Sequence, residues 1–143
     1  MIVLDTTVLV YATGSEHELR APCRRLVRAV TDGTVRATTT VEVIQEYVHV
    51  RARRGSRSDA VEAGLRFGDL LAPLLLVGSG TLREGLSLFG FSRRLGSFDA
   101  ILAAAALASG ADALVSGDAA FAEVPGLTHV VPSAPTVEAL LGG

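Results

Sequence analysis

The sequence contains no lysine, and all 13 of its basic residues are arginines. A P-loop binds nucleotide phosphates through a lysine, so nucleotide hydrolysis by that route is excluded. Phosphatases of the haloacid-dehalogenase type and response-regulator receivers also need a lysine. Both classes are therefore excluded, even though Asp5 follows an apolar segment as the first acid of those phosphatases does. The formal net charge of −2 gives no overall attraction to nucleic acid, so local clusters of arginine would have to bind a phosphate backbone.

Cysteine and long apolar runs are also scarce. Cys23 is the only cysteine, which excludes an internal disulfide and a cysteine-based metal site, and its apolar surroundings predict a small core residue. The uncharged apolar segment 70–82 contains Pro73 and is shorter than the run of about 20 residues that a spanning helix needs. No basic segment precedes Asp5, so no signal peptide is expected. We therefore expect a soluble, cytoplasmic protein without membrane attachment.

The length of 143 residues suits one domain with a core of its own, and we predict a single domain over residues 1–143. Hydrophobic residues make up 49% of the chain. A small domain cannot bury all of that apolar surface by itself, so we expect it to bind a second copy of itself or another chain.

Short apolar segments alternate with helical ones along the chain. We predict strands at residues 2–4, 34–39, 74–77, 113–115 and 129–131. We predict helices from residue 7, at 16–31, at 41–54, from 59 to before Pro73, at 81–95 and at 96–107, with a helix or turn at 136–141. This alternation predicts an α/β fold in which a central parallel sheet with right-handed crossovers is flanked by helices on both faces.

Apolar periodicity predicts the inward face of two of these helices. The predicted inward residues are Val41, Ile44 and Val48 in the helix at 41–54, and Leu82, Leu86 and Phe89 in the helix at 81–95. The first helix also carries a polar stripe, which is typical of a solvent-facing surface as well as of a site: Glu42, Glu46, His49 and Arg53.

Four acids occur where a parallel sheet places functional groups. Asp5 and Asp118 each follow an apolar strand, at the carboxyl edge where open α/β sheets bind ligands. Glu46 and Asp99 lie in helices expected at the same rim. Structural alternatives stay open, because Asp5 could merely cap the next helix and Asp99 suits a first helical turn whatever the function.

Four converging carboxylates would repel each other and raise one another's proton affinity. A hard divalent cation removes that repulsion, and Mg²⁺ or Mn²⁺ prefers oxygen ligands. Such an ion activates water and stabilises an in-line displacement at phosphorus, which predicts hydrolysis of a phosphodiester. No constellation of serine, histidine or cysteine competes with this interpretation.

Two groups of arginines are candidates for binding the backbone of a nucleic acid. Arginines at the C terminus of a helix also complement its dipole, so a structural role stays open. The candidates are Arg51, Arg53, Arg54 and Arg57 around the end of one helix, and Arg93 and Arg94 near the end of another.

Four segments together resemble the acidic motifs of PIN-domain ribonucleases, most closely those of the VapC toxins of bacterial toxin–antitoxin pairs. They are Ile2–Leu9, Thr40–Glu46, Phe98–Ala106 and Leu114–Phe121. The resemblance implies a PIN-like three-layer α/β/α fold and a magnesium-dependent endoribonuclease that cuts structured RNA. It also implies a homodimer, and an antitoxin, encoded alongside, whose tail covers the acidic site.

Position by position, the resemblance implies roles for individual residues. All four acids would be catalytic, and three of them, Asp5, Asp99 and Asp118, would bind the metal. The full set that it implies is Asp5, Glu46, Asp99 and Asp118 as catalytic acids, with Thr6 and Ser116 as small polar residues that orient them.

The second and fourth motifs each leave a choice open. Glu42 lies one helical turn before Glu46, and we favour Glu46 because it follows Thr40 by the interval usual in the family. The fourth motif ends in Ala119-Ala120-Phe121 and lacks the acid that many members place before the phenylalanine, so a fifth ligand is in doubt. Two other functions also stay open, a PIN nuclease of RNA processing and a PIN interaction module without cleavage.

Overall fold

Among residues 1–142, which the computed structural model describes, four parallel strands form one sheet. They are β1 (Ile2–Leu4), β2 (Ala37–Thr38), β3 (Ala113–Val115) and β4 (His129–Val130). Across the sheet the order is β2-β1-β3-β4, so β1 and β3 form the central pair. In that pair Leu4 lies opposite Val115, and the two strands end side by side. The residues that follow them are therefore neighbours at the carboxyl edge of the sheet.

Helices flank this sheet in a three-layer α/β/α arrangement, as the sequence predicts. Contacts join α1 to α2 and α3, α3 to α4, α5 to α6, and α2 to the C-terminal helix. None of the helices in residues 1–142 has the length and apolar character that crossing a bilayer requires. The helices are α1 (Thr6–Thr13), α2 (Arg20–Thr31), α3 (Val41–Arg54), α4 (Arg57–Leu70), α5 (Ser79–Phe91), α6 (Ser97–Ala108) and α7 (Ala134–Gly142), with a short 3-10 helix at Ala119–Glu123.

The two central strands lie at the centre of the core. Val3, Leu114 and Val115 are completely buried, because helices cover both faces of the sheet and leave no side for polar residues. Cys23 of α2 is also completely buried, in agreement with the sequence prediction, and so is Phe121. The core thus holds β1 and β3 in place and fixes the positions of the residues that follow them.

Some predicted boundaries were wrong. Residues 74–77 form no strand, and only an isolated bridge from Leu75 to Thr40 remains there. Pro73 has no N–H to donate to a neighbouring strand, and the bridge consists of the hydrogen bond from the amide of Leu75 to Thr39 O (2.9 Å). The strand predicted at 34–39 is only Ala37–Thr38, and the helix predicted from residue 16 begins at Arg20.

The predicted inward faces were also partly wrong. On α3 the buried residues are Val43 and Tyr47, whereas Val41 is 53% exposed; Ile44 and Val48 are half-buried. On α5 all three predicted inward residues are substantially exposed, and the buried position is Gly85. The reason is a close approach to α6, where a Cβ on Gly85 would lie 2.8 Å from the Cα of Ile101. The exposed α5 residues are Leu82, Leu86 and Phe89.

Gly85→Ala is expected to lower the free energy of unfolding by about 1–3 kcal/mol, because its methyl group would push α5 away from the α6 backbone. Gly90→Ala in the same helix is the matched control, since nothing lies within 4 Å of a Cβ at that position. The control should be neutral or raise stability by about 0.5–1 kcal/mol through helix propensity. Urea denaturation of both variants measures this, and equal effects would contradict the close packing.

Candidate active site

Asp5 directly follows β1 and is 4% exposed. Its amide donates to Val115 O at 3.0 Å. Two hydroxyl groups donate to the same carboxylate oxygen, Oδ2: Thr7 Oγ1 at 2.9 Å and Ser116 Oγ at 2.6 Å. Asp5 occupies the N-cap position of α1, but its side chain accepts no hydrogen bond from the helix amides, so capping does not account for this carboxylate. Asp5 is a buried carboxylate held by residues from both ends of the chain.

Thr7 connects this carboxylate to the loop after β3. Its Oγ1 accepts a hydrogen bond from the amide of Gly117 (2.9 Å), and Ser116 Oγ accepts one from the amide of Asp118 (2.9 Å). The sequence resemblance assigned the orienting role to Thr6 and Ser116. Ser116 does bind Asp5, but the threonine that binds Asp5 is Thr7. The buried hydroxyl of Thr6 makes no hydrogen bond of normal geometry within residues 1–142, and it lies close enough to Glu46 to lower the pKa of that carboxyl group.

Asp99 lies in the first turn of α6, close enough to the other acids for their charges to act on it. Burial, together with the negative charges of Asp5, Asp118 and Glu46, raises the pKa of its carboxyl group to about 7. Asp118 flanks the 3-10 helix, where its Oδ1 accepts a hydrogen bond from the amide of Ala120 (2.9 Å). The acids that are distant in sequence therefore interact electrostatically in the fold, as the sequence predicts.

Glu46 belongs to the same group of acids. Burial raises the pKa of its carboxyl group, and Asp5 raises it further, while Thr6 and the charge of His49 act in the opposite direction. Glu42, one turn earlier on α3, is not among the charges that shift the pKa of Asp99. Its Oε2 atom is nevertheless buried without a hydrogen-bond partner in residues 1–142.

A cleft of about 230 Å³ opens between α3 and α6 beside these carboxylates. Its walls are mainly apolar, and three of the four predicted acids line it: Asp5, Glu46 and Asp99. Asp118 is exposed at the surface and joins the cluster through its contact with Asp99. The other lining residues are Thr40, Glu42, Val43, Val77, Ser97, Phe98, Ile101 and Leu102.

The donor set fits a hard divalent cation, because all of its groups are carboxylate or hydroxyl oxygens. Both hydroxyls bound to Asp5 use Oδ2, which leaves Oδ1 for another ligand. In their present positions no three His, Cys, Asp or Glu side chains of residues 1–142 could hold a metal ion together. The carboxylates repel each other, so coordination requires that side chains rotate inward and that Asp99 loses its proton.

The predicted RNA-binding arginines have different environments. Arg51 donates from Nη1 to Thr13 O at the end of α1 (2.9 Å), which is a structural contact. Arg94 forms an ion pair with Glu123 at 3.6 Å. Arg53, Arg54, Arg57 and Arg93 are exposed. The structure therefore leaves these four as the better candidates for contacts with a phosphate backbone.

Comparison with known proteins adds two findings. The family model of the PIN domain matches residues 2–127, a range that contains all four acids. The chain is similar to Ribonuclease VapC7 of Mycobacterium tuberculosis (strain ATCC 25618 / H37Rv). The two are 51% identical over 146 residues, which cover 99% of each chain.

In metal-free buffer, the free energy of unfolding should fall as the pH rises from about 4 to about 7. The pKa of Asp99 is raised from 3.8 to about 7 in the folded chain, so the folded state binds this proton more tightly than the unfolded state does. We expect a fall of about 1–2 kcal/mol, below the full linkage value because the side chain is partly exposed to solvent. Urea denaturation in EDTA at both pH values measures it.

Asp99→Asn should remove most of this fall and be more stable than the parent chain near pH 7. Asp69→Asn, which changes an exposed acid on α4, is the matched control and should keep the parent's pH dependence. A parent chain whose stability exceeds that of Asp99→Asn at pH 7 would show that the acids do not repel each other.

Proposed function

The chain belongs to the PIN-domain family, and on that basis we propose that it is a metal-dependent endoribonuclease that acts as the toxin of a toxin–antitoxin pair. The observation that carries the proposal is the 51% identity, over 99% of both chains, to a protein named as a VapC ribonuclease. The buried acid cluster at the carboxyl edge of the sheet supports it, because its oxygen donors suit a divalent cation. No residue favours either of the two alternatives, which are a processing nuclease and a module without cleavage.

We assign the cation, Mg²⁺ or Mn²⁺, to Asp5, Asp99 and Asp118, with Glu46 completing the catalytic set. A bound ion would lower the pKa of a water molecule and neutralise charge that develops on the phosphate. Asp5 supplies the rigid part of the site, because the hydroxyls of Thr7 and Ser116 fix its Oδ2. Such orienting contacts typically contribute 10–100-fold to metal affinity or activity, by rough analogy with other metal sites.

Asp99 makes metal binding at the proposed site depend on pH. The raised pKa of this carboxyl group, about 7, keeps much of it protonated near neutrality, and its proton must leave before the oxygen can coordinate a cation. Metal affinity should therefore increase as the pH rises through this range. The apolar wall formed by Val43, Ile101 and Leu102 limits access of water from one side of the cleft.

We favour Glu46 over Glu42 as the acid of α3. Glu46 lies close enough to Asp5 and Asp99 for their charges to act on each other, and Glu42 does not act on Asp99. Both glutamates line the cleft, so position alone does not distinguish them. The electrostatic interaction with the other acids distinguishes Glu46 from Glu42.

The proposed partners are an RNA substrate, an antitoxin encoded alongside and a second copy of the chain. An RNA substrate would place the reaction in the cytoplasm.

The homodimer is supported by the exposed apolar stripe on α5, whose residues Leu82, Leu86 and Phe89 are 44%, 49% and 45% exposed. Our candidates for contacts with the RNA backbone are Arg53, Arg54, Arg57 and Arg93, which predicts binding that weakens with salt.

Asp5→Asn and Asp99→Asn are each expected to abolish both RNA cleavage and the growth arrest caused by expressing the parent chain in bacteria. Glu46→Gln should act like them, and Glu42→Gln, one turn away on α3, is the matched control that should retain most of the activity. Cleavage should stop in EDTA and return with Mg²⁺ or Mn²⁺. Growth arrest that survives both aspartate changes would overturn the proposal, and sequencing of RNA ends after brief induction would identify the target.

Thr7→Val is expected to lower activity by about 10- to 100-fold, because Asp5 loses one of the two hydroxyls that fix its Oδ2. Thr34→Val, which changes an exposed threonine between α2 and β2, is the matched control. Calorimetry with Mn²⁺ should show weaker binding in Thr7→Val than in Thr34→Val. Equal affinities in the two variants would contradict the orienting role of Thr7.

A further inference from the structure

An aromatic pair packs on the loop that carries Asp118 and has no part in the proposed catalytic set. The rings of Tyr11 and His17 are stacked, with centroids 4.2 Å apart and an angle of 15° between their planes. Tyr11 lies in α1, and His17 lies in the link between α1 and α2. The sequence has only two tyrosines and three histidines, and one residue of each kind takes part in this stack.

Tyr11 is fixed against the loop that carries Ser116 and Asp118. It lies one helical turn after Thr7, on the same face of α1. A Cβ on Gly117 would lie only 2.9 Å from Cε2 of Tyr11, so the ring packs directly on this glycine. The amide of Gly117 donates to Thr7, which in turn donates to Asp5. The aromatic pair is therefore adjacent to the carboxylates.

His17 is held in one orientation yet remains open to solvent. Its Nδ1 accepts a hydrogen bond from the amide of Leu19 (3.0 Å), and Tyr11 covers one face of the imidazole. The residue as a whole is exposed, so the other face is accessible to a further ring. Aromatic side chains that are pre-oriented in this way bind unpaired nucleobases by stacking.

The charges around His17 argue for contact with a base and against contact with a phosphate. Glu16 and Glu18, on either side of His17, are both exposed acids. The nearby Arg20 is already bound to Glu16, with a distance of 3.0 Å between Nη1 and Oε1. The negative charge here would repel a phosphate, whereas it would not repel a neutral base.

We propose that Tyr11 and His17 form a stacking platform that binds an unpaired nucleobase of the RNA beside the acid cluster. The proposal rests on the proposed function, since it takes RNA as the substrate. It makes His17 a positioning residue: the stacked base would set which nucleotide lies at the carboxylates. RNA is commonly recognised in this way at loops and bulges, where bases are not paired.

The test compares variants of His17 in their binding to a short fluorescein-labelled oligoadenylate, measured by anisotropy in EDTA so that no cleavage occurs. His17→Ala should weaken binding about 5-fold or more, which is the usual effect of losing one stacked base. His17→Phe should restore it. Leu65→Ala is the control, because Leu65 is a strongly exposed apolar residue of α4 that lines neither the acid cleft nor the platform. It should bind like the parent.

An abasic oligomer of the same length separates stacking from other effects. The parent and His17→Ala should bind it equally, and the salt dependence of binding to oligoadenylate should be the same for both proteins, because no phosphate contact is lost. A loss in His17→Ala that is as large for the abasic oligomer would overturn the proposal. So would a lower melting temperature with unchanged RNA binding, which would mean that the stack only orders the link between α1 and α2.

His17→Trp gives a direct signal, since the chain contains no other tryptophan. Its fluorescence should be quenched when oligoadenylate is added and should not change with the abasic oligomer. Absence of RNA binding by the parent chain would overturn both this proposal and the proposed function. Binding that is equal in the parent and in His17→Ala, with no quenching in His17→Trp, would overturn this proposal alone.

Discussion

The carboxylate of Asp5 and the two hydroxyls that bind its Oδ2 are the contact on which the site depends. Thr7 and Ser116 come from segments more than 100 residues apart, and their distances to this oxygen are 2.9 Å and 2.6 Å. Because β1 and β3 are paired in register, the loops after them meet at one point, and the hydroxyls fix the acid there. The same loops carry Asp118 and the glycine on which Tyr11 packs. Loss of this register would therefore disperse the whole group.

The acid cluster opposes the stability of the fold. Burial and three neighbouring negative charges raise the pKa of Asp99 to about 7, so ionising it in the folded chain costs free energy. The completely buried strands and the tight contact of α5 with α6 offset this cost. A site with stored repulsion of this kind is one that a divalent cation stabilises, because the ion removes the repulsion as it binds. The same repulsion that weakens the metal-free chain would therefore favour binding of the proposed cation.

Much of the fold and the site could be predicted from local patterns. The apolar runs of β1 and β3, each followed by an acid, predicted the central strands and the edge at which the acids meet. The acids Asp5, Glu46 and Asp99 line one cleft, as the sequence led us to expect. Other features could not be predicted, because they depend on which neighbour a helix meets. Leu82 has the spacing of an inward residue, yet α5 packs through Gly85.

What the sequence by itself determined is the order of the elements and the chemistry of the donors, since periodicity and residue type are local properties. The tertiary structure decided which hydroxyl fixes Asp5. Thr6 and Thr7 are adjacent and chemically identical, and only the direction in which α1 leaves the sheet turns Thr7 toward Oδ2 of Asp5 and Thr6 toward Glu46. It also decided that Tyr11 and His17 stack, because the link that returns the chain from α1 to α2 brings their rings together. Such contacts form only when two segments of the chain are both in their folded positions, so no pattern within either segment predicts them.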